Sequence, residues 1–575
     1  MKDLKRNLKF AWKYARYQKG KIIGFIICNF IHILISVVAP IISAQIIVKL
    51  TENKLKQVIF MALALFGIEI LRNTIHFLSR YFAQVTYRET FTKIQLDLSK
   101  SILKLENSCI DNNSSGVFIQ RLTTDTSKIA DVFNVLNYSL TDVLTNIGIF
   151  GAILIIDVRV FVYMLLMVLI IGFLEVKRVS LMNEKDKEYR KENEKVSGFV
   201  GELVRGVRDI KMLSAEKSFI KEMHGRLVDL NSKRYQMQKI QRNYTFIIGG
   251  LRDLFDLTMI CLLVYLIYID SITIAVALVV HNYMGRVTYV VNSYSYLLEG
   301  LKDFNLSSNR IFEIINGKDF PKEKFGTKKI DNIKGNFEFK NVRFEYEDDR
   351  ELFKKLSFKV KSHSTVAFVG KSGAGKTTIF NLLCKMYDIE DGEISIDGIN
   401  IKELDKDSIR DNITIISQNP YIFNVSIRDN LRLVKENLTE EEMVEACKAA
   451  CLDEFINALP DRYDTIVGEG GISLSGGQRQ RLAIARALVQ KTRIILFDEA
   501  TSALDNVTQT RIQQAIDNLQ GEYTILIIAH RLSTIINSDR ILFLDDGEIK
   551  AEGSHEELLK TCKEYKKLYD AEIEK

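Results

Sequence analysis

The sequence predicts an α-helical membrane domain of six spans followed by an α/β domain. Three observations lead there. Apolar stretches long enough to cross a bilayer recur through residues 1–315. From residue 333 onward, short apolar strands alternate with charged helical segments. Within that second part, Gly370-Lys371-Ser372-Gly373-Ala374-Gly375-Lys376-Thr377-Thr378 joins the strand-like Thr365–Val369 to a helical pattern opening at Ile379 and Phe380.

The six apolar stretches fall at about 21–47, 57–82, 134–156, 160–176, 244–269 and 272–296. The first is too long for a signal peptide, and no small-residue cleavage site follows it. Loops 48–56, 157–159 and 270–271 are short, whereas 83–133 and 177–243 are long and charged. Lys and Arg crowd the N-terminus (Lys2, Lys5, Arg6, Lys9, Lys13, Arg16, Lys19, Lys21) and both long loops. The positive-inside rule then puts both termini and the α/β domain on the cytoplasmic side of the cell membrane. Residues 7–18 read as an amphipathic helix on the membrane surface, with Leu8, Trp12 and Ala15 on one face, or as a solvated basic segment.

Segments 83–108 and 177–197 contain no proline or glycine and carry charges at helical spacing, as at Glu184 and Lys187. They predict helices that continue into the cytoplasm. Polar breaks at Asp111–Gly116 and around Gly206 predict hairpin tips near 111–121 and 206–216. The chain holds only four prolines, which suits long helices. Residues 316–332 form a linker, and 333–575 the second domain.

Composition removes some functions. A net charge of +6 over 575 residues gives no basis for nucleic acid binding. The seven cysteines are scattered without a Cys-x-x-Cys pair, which fits a reducing compartment for the α/β part. Cys447 and Cys451, four residues apart on a predicted helix, read as packing residues rather than metal ligands.

The glycine-rich run has the form of a phosphate-binding loop. Gly370, Gly373 and Gly375 let the backbone turn its N–H groups toward an anion, with Ser372 and Thr378 completing the cradle. The helix N-terminus adds partial positive charge. Lys376 reaches the β- and γ-phosphates and the Thr377 hydroxyl ligates Mg²⁺. The chain therefore binds a nucleoside triphosphate.

Other strand ends supply the remaining chemistry. The run Ile494–Phe497 delivers Asp498, suited to the Mg²⁺ shell, and Glu499, suited to act as general base on the attacking water. The run Ile525–Ala529 ends in His530, read as a γ-phosphate contact, with a purely structural role as the alternative. Ile413–Ile416 leads through Ser417 to Gln418, whose amide suits Mg²⁺ or the water. Ligand groups gather at strand C-terminal ends in open α/β sheets.

Leu474-Ser475-Gly476-Gly477-Gln478, followed by Arg479-Gln480-Arg481, resembles the signature motif of ATP-binding cassette (ABC) ATPases and stands 20 residues before Asp498. The resemblance implies that Ser475, Gly476, Gly477 and Gln478 dock on the γ-phosphate held by an opposite subunit. Gln418 is similar to the family's Q-loop, Ser502-Ala503-Leu504-Asp505 to its D-loop and His530 to its H-loop. Tyr346 is similar to the aromatic that stacks on adenine. Thr465–Gly471 resembles the cross-talk loop of exporter-type members, with Gly470 in place of the usual basic or polar residue.

Spans followed by one cassette resemble an exporter-fold half-transporter. Gly116–Asp125 resembles the first intracellular loop of that group, and Ser308–Phe312 the segment that closes its membrane domain. The resemblance implies ATP and Mg²⁺ as cofactors, and dimerisation with a second half-transporter chain. A homodimer is favoured and a heterodimer stays open. It implies export of an amphipathic small molecule, peptide or lipid. Import on the same fold, for example of a metal chelate, and an ATP-gated sensor or channel are the other readings.

Ionisable residues also fall inside the expected spans. Glu69, Arg72, His76 and Arg80 form one helical stripe, Arg252, Asp253 and Asp256 lie in the fifth span, and His281 and Arg286 in the sixth. Such groups are costly in a membrane. They read either as a polar substrate pathway or as ion pairs that fix helix packing.

Overall fold

The computed structural model describes residues 2–287, 290–317, 319–330, 332–346, 350–417, 420–468, 471–498, 506–528 and 535–573. The chain forms two units. Met1–Leu103 and Ser114–Phe320 make the first, and Lys104–Asn113 and Pro321–Lys575 the second.

The first unit is helical. Its elements are α1 (Lys2–Ala15), α2 (Lys19–Thr51) and α3 (Leu55–Ile102), then, after a short α4 (Asn107–Asp111) that belongs to the second unit, α5 (Ser115–Gln120). A π-helical turn, Arg121–Asp125, leads to α6 (Thr126–Ile156), α7 (Val158–Met212), α8 (Glu216–Tyr268), α9 (Ile274–Val287) and α10 (Val290–Asn316). Among the described residues, four helical stretches are long and apolar enough to cross a membrane: Asp3–Thr51, Leu55–Ile102, Ser115–Ile156 and Val158–Met212. The expected fifth span lies in α8, where Arg252, Asp253 and Asp256 interrupt the apolar end. The sixth begins with a shorter apolar helix, Ile274–Gly285.

Helices α3, α7 and α8 run for 48, 55 and 53 residues. At ~1.5 Å per residue they far exceed a hydrocarbon core of ~30 Å. Each is thus longer than a single crossing requires. The second break is not at Gly206. Helix α7 passes through it and ends at Met212, and the turn forms at Leu213–Ala215 with Ser214 at φ 53°. A lone glycine costs a helix only ~1 kcal/mol, which a helix of 55 residues absorbs. The left-handed residue makes the break.

Helix α1 also departs from expectation. It buries Asn7, Phe10, Ala11, Tyr14 and Ala15, while Trp12 stays 42% exposed. Asn7 Nδ2 donates to Asn305 Oδ1 (2.6 Å) and Asn309 Oδ1 (2.8 Å) of α10, and the Phe10 ring meets Phe312 edge-on at 6.0 Å. The packed face holds Ala15 of the expected stripe but turns Trp12 outward, with Asn7 fastened to α10. At the start of α6, buried Asp125 accepts from Ser307 Oγ (2.8 Å) and pairs with Arg121 (2.7 Å) and, at 3.7 Å, Arg310.

The second unit is α/β. Its strands are β1 (Phe337–Tyr346), β2 (Arg350–Val360), β3 (Thr365–Val369), β4 (Asp391–Ile396), β5 (Ile399–Asn400), β6 (Ile413–Ile416), β7 (Val425–Ser426), β8 (Ile466–Val467), β9 (Ile494–Asp498), β10 (Thr524–Ile528), β11 (Arg540–Asp545) and β12 (Glu548–Gly553). A six-stranded sheet runs β12-β11-β3-β10-β9-β6, parallel except for the edge strand β12. An antiparallel sheet runs β2-β1-β4-β5. Every residue of β3 and β10 is buried, the pattern of parallel strands covered on both faces. One core includes Phe497, Ile527 and Phe543. Another joins the two sheets through Phe339, Phe358, Phe368 and Phe380, with Phe339 and Phe358 stacked at 4.6 Å. Each such side chain, fully buried, contributes ~1.5–3 kcal/mol.

Candidate nucleotide-binding site

Strand β3 ends directly in the glycine-rich loop, and α11 (Lys376–Leu383) follows it. Gly370 passes so close to β11 that a Cβ would lie 1.9 Å from the Leu544 carbonyl oxygen. Gly375, the residue before α11, sits at φ 96°, and a Cβ there would meet the Phe353 ring at 2.6 Å. Both positions need glycine, for space at the first and for backbone and space at the second. Gly373 is left-handed as well, at φ 83°. Lys376 is 6% exposed and folds back over the loop, where Nζ donates to the carbonyls of Gly370 (2.8 Å) and Lys371 (2.9 Å).

The adjacent strands bring the rest together. Strand β10 lies between β3 and β9, in parallel register with both, so β3 and β9 end on the same sheet edge. There the Thr377 hydroxyl donates to Asp498 Oδ1 at 3.2 Å. A hydroxyl and a carboxylate side by side are hard oxygen donors. Mg²⁺ takes one or two carboxylates plus phosphate and water oxygens, so this pair fits it. Thr378, buried on the same helix, shares a 2.9 Å hydrogen bond with the Tyr346 hydroxyl. The Tyr346 ring is 36% exposed and held edge-on by Phe344 (4.8 Å) and Tyr387 (5.5 Å). Tyr346 thus reaches the loop helix while keeping ring surface accessible.

Ser475 caps helix α12, as numbered here for Gly476–Gln490. Its Oγ accepts from Gln478 N (3.3 Å), and Gln478 Oε1 accepts from Ser475 N (2.8 Å). This is a capping box. The pattern Ser-x-x-Gln was legible in the sequence as such. It gives both side chains a local task that the motif resemblance did not include. Gly477 is buried in the first turn.

Gln418, Glu499, Asp505 and His530 lie outside the described residues, as does the side chain of Arg286. Gln418 comes two residues after β6, Glu499 directly after β9 and His530 two residues after β10. In the first unit, Arg72 pairs with Glu69, and the His76 ring lies 6.0 Å from that of His32. Among the described residues, Arg252, Asp253, Asp256 and His281 enter no ion pair with one another. The nine residues expected as a stripe and two further groups are therefore only partly brought together.

Sequence reasoning missed how the first hairpin tip is held. The chain leaves the first unit at Lys104 and returns at Ser114. Within the second unit, the Tyr387 hydroxyl donates to the Asp111 carboxylate. A cavity of about 370 Å³ lies here, lined among others by Glu106, Asp111, Tyr346, Lys385, Tyr387 and Asp388. Burial first, and then the Asp388 carboxylate, push Glu106 above the usual glutamate range. No residue pattern announced this joint, because it depends on side chains distant in sequence. Cys447 is buried in the sheet core, and burial pushes its thiol up to about 12.

A glycine-lined loop at a strand end, a carboxylate meeting its threonine and a separate capped glycine helix define a phosphate-loop ATPase unit joined to a helical membrane unit. The ABC transporter family profile matches residues 353–502, and that of the ABC transporter transmembrane region matches residues 22–289. An ATP-dependent lipid A-core flippase of Haemophilus influenzae (strain 86-028NP) is 34% identical, covering 89% of this chain and 88% of its own. A putative multidrug export ATP-binding/permease protein, YgaD, of Bacillus subtilis (strain 168) is 31% identical over 87% of each chain. An ATP-dependent lipid A-core flippase of Pasteurella multocida (strain Pm70) is 47% identical over 43% of each chain. The chain belongs to the ABC transporter family. It is an ATP-driven exporter of the half-transporter type, with its transmembrane and ATP-binding domains fused.

Proposed function

We propose that the chain exports an amphipathic small molecule, peptide or lipid by alternating access, as a dimer of half-transporters with a homodimer favoured. The observation that carries the reading is the Thr377–Asp498 bond beside the glycine-lined loop, in a chain whose other unit holds membrane-length apolar helices. In this reading the membrane domain spans 1–315 with six helices, the linker 316–332 and the ATPase domain 333–575. Both termini are cytoplasmic.

Thr377, Asp498 and Gln418 hold Mg²⁺, which when bound neutralises charge on the transferring phosphoryl group. Lys376 and the loop N–H groups bind the phosphates, and Tyr346 stacks on adenine. Glu499 takes the proton of the attacking water and His530 holds the γ-phosphate. Ser475 and Gly477 present the capped helix N-terminus to the phosphate bound by the partner chain, where its partial positive charge favours the anion. Asp505, in the run similar to the D-loop, belongs with the nucleotide-binding residues. The membrane charges Glu69, Arg72, His76, Arg252, Asp253, Asp256, His281 and Arg286 are the candidates for the cargo route, with ion pairs that fix helix packing, as between Glu69 and Arg72, the alternative.

The relatives named as a lipid A-core flippase and a putative multidrug export protein support an amphipathic cargo. The test is reconstitution in liposomes, with ATPase measured against a panel of lipids, peptides and dyes. Stimulation by an amphiphile, with ATP-dependent movement of that compound across the bilayer, is the expected result. Robust ATPase with no stimulation and no movement of any panel member would overturn the reading.

A further inference from the structure

The segment that joins the two halves of the chain is built into the second unit. Glu106 N donates to Pro321 O (3.0 Å), Glu323 N donates to Lys104 O (2.9 Å), and Leu105 and Lys322 form an antiparallel bridge between them. Two residues beyond the end of α3, the hairpin chain is thus laddered to the linker.

The same linker residue is fastened on its other side. The Glu323 carboxylate is only 10% exposed and takes both arms of the Arg410 guanidinium, Nη1 to Oε2 at 3.1 Å and Nη2 to Oε1. Lys406 stands 4.0 Å from the same carboxylate. The Arg410 guanidinium lies over the Phe325 ring at 5.2 Å. Its backbone carbonyl accepts from Gln490 Nε2 at 3.2 Å, and Gln490 is the last residue of α12, the helix that Ser475 caps. A two-armed, half-desolvated pair of this kind fixes direction as well as distance. Replacing one partner leaves the other charge without its counter-charge.

An unbroken path therefore runs from Ser475 along α12 to Gln490, through Arg410 and Glu323, to Lys104 and α3. We propose that Glu323 and Arg410 are positioning residues that clasp the linker to the nucleotide-binding unit. Displacement of α12 during the ATP cycle is thereby passed through the linker to α3. The linker is a transmission element and not a tether. This rests on the export reading only for the existence of an ATP-driven cycle.

Hydrogen exchange on the full-length protein in lipid nanodiscs tests it, comparing nucleotide-free protein with protein trapped by ATP and vanadate. In the wild type, exchange in residues 83–106 should change by several-fold on trapping. In Glu323→Gln and in Arg410→Gln that change should fall at least threefold, while ATP hydrolysis stays within twofold of wild type. The charge swap Glu323→Arg with Arg410→Glu should restore it. That swap, checked by its melting midpoint, also decides the matter if a single variant folds poorly. An undiminished change in both single variants, or no change in the wild type, would overturn the proposal. If the export reading fails, the wild type moves no amphiphile in liposomes, yet this exchange pattern still stands and supports the clasp.

Discussion

Lys376 already lies folded over the loop, with its ammonium on two backbone carbonyls. In the proposed site it would exchange those partners for phosphate oxygens, so its removal should act on binding. Lys376→Ala is expected to weaken ATP at least tenfold, a loss of ~1.4 kcal/mol or more, measured by nucleotide titration. Unchanged affinity would contradict the assigned loop. Glu499→Gln acts on chemistry instead. The amide keeps the shape and loses the basicity, so turnover should fall on the order of 10²-fold or more, with ATP affinity retained. Steady-state hydrolysis near the wild-type rate would exclude Glu499 as the base. Glu106 makes a pH signal. Its raised folded-state pKa, from burial and Asp388, means that its favourable contribution is complete at acid pH. The contribution is lost as pH rises through the folded value, which lies above the ordinary glutamate one. Glu106→Gln should flatten that part of the melting-midpoint profile relative to the wild type. Parallel profiles would show that Glu106 is not strained by its surroundings.

Helix α12 combines two requirements at one end. Its capping box satisfies two N–H groups of the first turn, and its glycines leave the same end open to an anion. Substitutions at Ser475 separate the two. Ser475→Ala should cost ~1 kcal/mol through the lost cap. Ser475→Asp keeps a good cap but sets a carboxylate where the proposed dimer would dock the partner's phosphate. The aspartate variant should melt near the wild-type temperature and hydrolyse ATP poorly, read by calorimetry and phosphate release. Full activity in the aspartate variant would remove Ser475 from the docking surface. The long helices show how local signals are overruled. In α7 the expected break at Gly206 gives way to one at Ser214, because a single glycine is a small cost against continuous helical bonding. In α1 apolar spacing chose Leu8, Trp12 and Ala15; Ala15 is buried, but the packed face also carries Asn7, held by two asparagines of α10.

For the whole molecule, the proposed dimer of half-transporters makes hydrolysis depend on two chains, since each chain carries one phosphate loop and one capped glycine helix. Chains carrying Lys376→Ala should be inactive alone, as should chains carrying Ser475→Asp. Mixed under conditions that exchange subunits, they should regain activity in the fraction of dimers that holds one intact composite site. Full ATPase from a strictly monomeric preparation would sink the two-chain arrangement.

By itself the sequence determined the order of the halves, the phosphate loop and the strand that carries Asp498. These follow from local rules: apolar length, period, and glycine placed between strand and helix. The tertiary structure alone decided which of those groups meet. The bond from Thr377 to Asp498 joins the helix that follows β3 to the end of β9, two strands separated by β10, and Tyr346 reaches Thr378 from another sheet. The sequence marks 316–332 as a linker and assigns its residues no pairing. Glu323 acquires its meaning from Arg410 and Lys104, far away along the chain. Hydrogen bonds and ion pairs act over a few ångströms in space whatever the separation in sequence, and only the folded chain sets that distance.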